Sequence, residues 1–167
     1  MEANLNNANM RNAFLIDADL SRADLSRADI RGANLENANL SESFLKDSSL
    51  QFANLKCSNL SAAKLTQTDL RNADLTGANL SGADLKAADL SGANLSGADL
   101  RRADLSDARL NKAILKNANL CGALMPNRSK SRRGCPVKGE EQAVVKMNSY
   151  CNYCHAISTE PQWINLF

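Results

Sequence analysis

From Leu5 to Met125 every fifth residue is a large aliphatic one, and no insertion breaks the register. Of these 25 positions 22 are Leu, the others being Met10, Ile30 and Met125. A period of five fits neither regular element. On an α-helix five residues advance the chain by about 500°, so successive leucines scatter around the axis. On a strand an odd spacing throws them alternately onto opposite faces. The pattern is coherent only if the backbone turns once per pentad and winds into a coil with every leucine inside.

The rest of each pentad agrees with that geometry. Ala stands two residues before each large aliphatic, except at Ser43, Ser48, Ser58 and Thr68. One large and one small side chain per pentad suit a narrow interior. The position between them is mostly Asn or Asp, and Ser and Gly are frequent after the leucine, all residues that turns tolerate. Aromatics make up only 4% of the chain, so the core must be aliphatic.

The motif A-(D/N)-L-x-x, as in Ala73-Asp74-Leu75-Thr76-Gly77 and Ala93-Asn94-Leu95-Ser96-Gly97, resembles the pentapeptide-repeat family, in the form common in cyanobacteria. The resemblance covers residues 1–125. It implies an all-β solenoid, a right-handed quadrilateral β-helix with four pentads per coil and about six coils here. At about 4.8 Å per strand layer the coils would rise roughly 30 Å. Some relatives mimic DNA, which requires a strongly acidic surface, often with Phe at the central core position. Residues 1–125 carry 14 Lys/Arg against 15 Asp/Glu around a Leu core, so that role is not expected. The near-neutral total also argues against a nucleic-acid partner.

Four pentads per coil place residues 20 apart in columns. Arg11, Arg31 and Arg71 then align beside Asp29, Asp69 and Asp89, which reads as a solvated charge ladder. Repeated Asp residues do not make a catalytic pair, because nearly every pentad offers the same position. The repeat region has no His to activate its serines and no phosphate-binding glycine loop, so an enzyme is not expected. The departures from Ala fall between residues 43 and 68, where Phe44, Phe52, Cys57 and Lys64 also replace small polar residues. These four are the candidate partner-binding residues, with Phe14 and Ile16 a weaker second group. The first coil shows no cap, which suggests a homodimer through that end.

Pro126 ends the repeat, since Pro cannot donate to a backbone ladder. Residues 126–136 contain Arg128, Lys130, Arg132 and Arg133 and read as a basic linker. Over residues 137–167 the spacing of Ala143, Val144, Met147, Tyr150, Cys151 and Cys154 suits a short α-helix. With Trp163, Ile164, Leu166 and Phe167 that helix would cap the last coil.

Four of the five cysteines, at 121, 135, 151 and 154, lie towards this end. Three chemistries fit them. A disulfide such as Cys121–Cys135 would tie the C-terminal segment to the coils in an oxidising compartment. Cys151-Asn152-Tyr153-Cys154-His155 resembles the C-x-x-C-H attachment site of c-type haem, with Met147 or Met125 as a distal ligand. Cys135, Cys151, Cys154 and His155 could instead hold zinc. Free structural thiols complete the alternatives.

No run of 18 apolar residues is present, so no membrane-spanning segment and no membrane partner is expected. No signal peptide is recognised, which points to the cytoplasm, or to a periplasm or thylakoid lumen for a mature exported form. The sequence therefore reads as a non-enzymatic structural or interaction scaffold with an unknown protein partner and no cofactor. A redox module carrying haem c at Cys151, Cys154 and His155 is the alternative.

Overall fold

A computed structural model describes residues 3–135. Each pentad is a short extended segment followed by a tight turn. The backbone N–H of Ala8 donates to the carbonyl of Leu5 at 3.0 Å, and the same three-residue link recurs in every pentad through Ala123 N–H to Leu120. The second residue after each leucine is left-handed, as at Asn7 (φ 57°), Arg27 (φ 58°) and Gly77 (φ 68°). A positive φ at that place is what a type II turn requires, which explains why Gly and Asn are frequent there. Turn formation also explains the Asn or Asp that precedes most of the leucines. Its side-chain oxygen accepts the backbone N–H two residues on, as from Ser26 to Asp24 at 3.0 Å and from Ser96 to Asn94 at 3.1 Å.

Four turns close one coil, and parallel bridges join residues 20 apart in four columns. The first face is the column Asn4, Asp24, Phe44, Lys64, Asp84, Asp104, Leu124. The second begins at Asn9 and ends at Arg109, the third runs from Phe14 to Ile114, and the fourth from Asp19 to Asn119. Each rung is held by two backbone bonds, such as Leu25 N–H to Phe44 O at 2.7 Å and Phe44 N–H to Ala23 O at 2.9 Å. On the fourth face the amides of Asn39, Asn59 and Asn79 each donate to the residue one coil below, at 3.1–3.2 Å.

The interior is the column of leucines. Leu25 through Leu100 are at most 1% exposed, and the alanines beside them are equally buried. Ser43, Ser48, Ser58 and Thr68 are buried too, so these departures from Ala point inwards and mark no surface. Their hydroxyls donate to the carbonyls of Leu40, Leu45, Leu55 and again Leu45, at 2.7–2.8 Å. A buried hydroxyl bonded in this way avoids the cost of an unmet donor.

The compact unit runs Met1–Cys135 and does not stop at the last repeat. Residues 126–135 are not the solvated linker that their charge suggested. The chain reverses after Pro126 and lies antiparallel to the last coil, with Leu124 bridged to Lys130. The N–H groups of Leu120, Gly122 and Met125 donate to the carbonyls of Arg133, Ser131 and Ser129, at 2.8–3.1 Å. In every earlier coil those donors meet the next coil, so the reversed segment supplies acceptors that a further coil would have given. Cys121 and Cys135 are joined in a disulfide that fastens it. The described residues contain no helix. The helical cap expected over 137–167 lies outside them.

Candidate functional site

The four partner-binding candidates do not form one patch. Phe44 occupies the centre of the first face and Lys64 stands directly above it, with Lys64 N–H bonded to Ser43 O at 2.8 Å. Both side chains are exposed, whereas the neighbouring rungs Asp24, Asp84 and Asp104 are half-buried. Phe52 is a turn residue at the corner between the second and third faces, left-handed at φ 59° and 66% exposed. The second face thus separates it from Phe44. Cys57 lies at the next corner, between the third and fourth faces, with its Sγ beside Gly77. Phe14 and Ile16 belong to the first coil on the third face and the corner after it, and both are exposed. Ile114, 51% exposed at the far end of the third face, escaped the sequence reading although its place in an Asn/Asp column was readable.

Charge around Phe44 is uneven. Arg22 pairs with Glu42 at 3.1 Å, and Lys86 reaches both Asp84 and Asp104, at 3.7 and 3.2 Å. Lys46, at the turn after Phe44, and Lys64 have no carboxylate within 4.0 Å among the described residues. The first face therefore offers an aromatic ring between two unneutralised ammonium groups.

The second face carries the expected ladder. Arg31 clamps Asp29 with two contacts, at 2.7 and 2.5 Å, and Arg71 clamps Asp69, at 2.7–3.1 Å. Arg11 adds a looser pair to Asp29 at 3.8 Å. The Arg31 guanidinium, with the backbone N–H of Arg31, holds the Asp29 carboxyl down to about 2. Arg71 and Gln51 lower the Asp69 carboxyl against a partial desolvation that raises it. Higher on this face Asp69, Arg71, Asp89 and Arg109 line a shallow open depression in which each carboxylate faces a guanidinium. Those carboxylates are ion-pair partners in a charge ladder.

The disulfide between Cys121 and Cys135 is formed. It commits the Cys135 sulfur, which the zinc reading had used as a ligand. Cys151, Cys154 and His155, common to the haem and zinc readings, lie outside the described residues. Among the described residues no three His, Cys, Asp or Glu side chains are grouped to hold a metal ion.

Comparison with known proteins agrees with this geometry. The family model for pentapeptide repeats matches residues 1–37, 28–67, 53–92 and 88–125. HetL, a pentapeptide repeat protein involved in heterocyst differentiation regulation from Nostoc sp. strain PCC 7120, is 36% identical. That match covers 78% of this chain and 76% of HetL, with a TM-score of 0.45. AT2G44920, a pentapeptide repeat protein from the Arabidopsis thaliana thylakoid lumen, is also 36% identical, over 56% of this chain and 65% of that one, with a TM-score of 0.54. QnrB1, a plasmid-mediated fluoroquinolone resistance protein, is similar in fold at 21% identity, over 75% of this chain and 68% of its own, with a TM-score of 0.50. No curated protein matches the chain.

Proposed function

Because this chain belongs to the pentapeptide-repeat family, whose members form right-handed quadrilateral β-helices, we propose that it is a non-enzymatic scaffold whose first face docks a protein partner at Phe44 and Lys64. The observation that carries the reading is the exposed Phe44 ring between Lys46 and Lys64, on a face whose other rungs are Asn4, the acidic Asp24, Asp84 and Asp104, and a half-buried Leu124 at the far end. A partner fitted to it presents an apolar side chain next to a carboxylate. The apolar group covers the ring, and the carboxylate meets ammonium groups that nothing in the described body neutralises. Rigidity suits the task, since the bonded rungs fix the site before the partner arrives and little order is lost on binding.

The experiment is capture from the native host with the wild type and with Phe44→Ser/Lys64→Glu. The double variant loses the partner while its melting temperature stays within about 2 °C of wild type, because neither side chain is in the core. Retention of the partner by the double variant overturns the site.

A further inference from the structure

The near-neutral total of the repeat region hides a separation of charge along the coil axis. Residues 1–100 carry nine Lys/Arg against thirteen Asp/Glu, a net of −4. Residues 101–135 carry nine Lys/Arg against only Asp104 and Asp107, a net of +7. All nine of those cations are exposed. Charge asymmetry of this size within one chain points to a polyanionic partner.

Their placement narrows the partner further. Arg102 stands at the corner between the fourth and first faces, Lys112 between the second and third, and Lys116 between the third and fourth. Lys130 and Arg132 project from the reversed segment that lies antiparallel to the last rung. None of these five has a carboxylate within 4.0 Å among the described residues. The positive charge thus rings the end of the body instead of running down one side. A rod-shaped polyanion, such as duplex nucleic acid, would meet one side of such a ring. A plane laid across the end faces members on every side, and at ordinary salt each charge acts over about 10 Å. Residues 101–135 contain no aromatic residue on which a base could stack. At the same end Ile114 is 51% exposed, and Leu110 and Leu115 are half-buried.

We propose that the C-terminal end of the coiled body docks on an anionic membrane surface, with the basic ring meeting lipid headgroups and Ile114 at the interface. The attraction is electrostatic and reversible, as for a polybasic segment, and it needs no membrane-spanning element. The surface is separate from the Phe44 face, and either assignment stands or falls without the other.

The test is sedimentation of the full chain with vesicles of phosphatidylcholine alone and of phosphatidylcholine containing about 30% phosphatidylglycerol. The protein pellets with the anionic vesicles only, and raising salt from about 0.1 to about 0.5 M releases it. Replacing Arg102, Lys112, Lys116, Lys130 and Arg132 together by Gln lowers the partition coefficient about tenfold or more, while Lys46→Gln/Lys64→Gln leaves it unchanged. A melting curve checks the fold of the fivefold variant, and Lys112→Gln/Lys116→Gln serves if that variant unfolds. Equal pelleting with neutral vesicles, no pelleting with anionic ones, or wild-type binding by the ring variant overturns the proposal. So does displacement from the vesicles by an equal phosphate concentration of duplex DNA, which would make the partner a nucleic acid.

Discussion

Cys121 and Cys135, fourteen residues apart, are bonded to each other across the fold-back that closes the last coil. The segment this bond fastens is otherwise held by backbone bonds to the last coil, by the Arg128–Asp107 ion pair and by the bond from Arg133 to the Leu115 carbonyl. No side chain between residues 126 and 135 is fully buried. Closing a loop of this size in the unfolded chain stabilises by about 3 kcal/mol in the chain-entropy model. The disulfide adds to those attachments a covalent tie that reduction removes.

Reduction, or Cys135→Ser, should accordingly speed hydrogen exchange at the amides of Leu120, Gly122 and Met125. The amides of Leu100 and Leu105, which bond to the next rung at Asn119 and Leu124, should keep their protection. Unchanged protection at all five would mean that the hairpin holds itself.

Leu80 is fully buried among leucines of the coils above and below. Leu80→Ala should cost roughly 2–5 kcal/mol in urea unfolding, since neighbouring rungs bonded on both sides cannot collapse into the space. A cost below about 1 kcal/mol would show that the leucine column is not the core.

Phe52 is held left-handed at φ 59°, a conformation that penalises side chains and spares glycine. The same turn position is Gly at residues 32 and 92 on this corner. Phe52→Gly should therefore leave stability unchanged or raise it by up to about 1 kcal/mol. Destabilisation by more than about 1 kcal/mol would show that the exposed ring packs after all.

The second face predicts an acid limb. Asp29 is held at about 2 against an ordinary 3.8, chiefly by the Arg31 side chain. A depressed carboxyl binds its proton less readily folded than unfolded, so its contribution is complete above about pH 4 and is lost as pH falls towards about 2. Asp29→Asn should lower stability at neutral pH and flatten the loss between those values. Parallel pH profiles for variant and wild type, read as urea midpoints, would remove Asp29 from the account.

Much of this fold could be read from the sequence because the period is local information. A leucine every five residues has one coherent backbone, and the buried column Leu25 to Leu100 is the one that the period selects. The fold-back of 126–135 could not be read that way. It has no apolar period, and it is ordered by backbone donors of the last coil and by a cysteine fourteen residues distant. The candidate site falls between these cases. Grouping Phe44 with Phe52 followed proximity along the chain, whereas twenty residues per coil already place Phe44 under Lys64 and Phe52 on another column. The basic end was also present in the sequence, but a division at residue 125 averaged it away and a division at 100 exposes it.

Site-resolved photo-crosslinking in the native host tests the scaffold reading most directly, with a benzophenone side chain placed in turn at positions 44, 52 and 94. The account predicts one crosslinked partner from position 44, none from 52 or 94, and loss of the adduct when Lys64→Glu is added. The same adduct from all three positions, or none from position 44 while position 52 crosslinks, would contradict it.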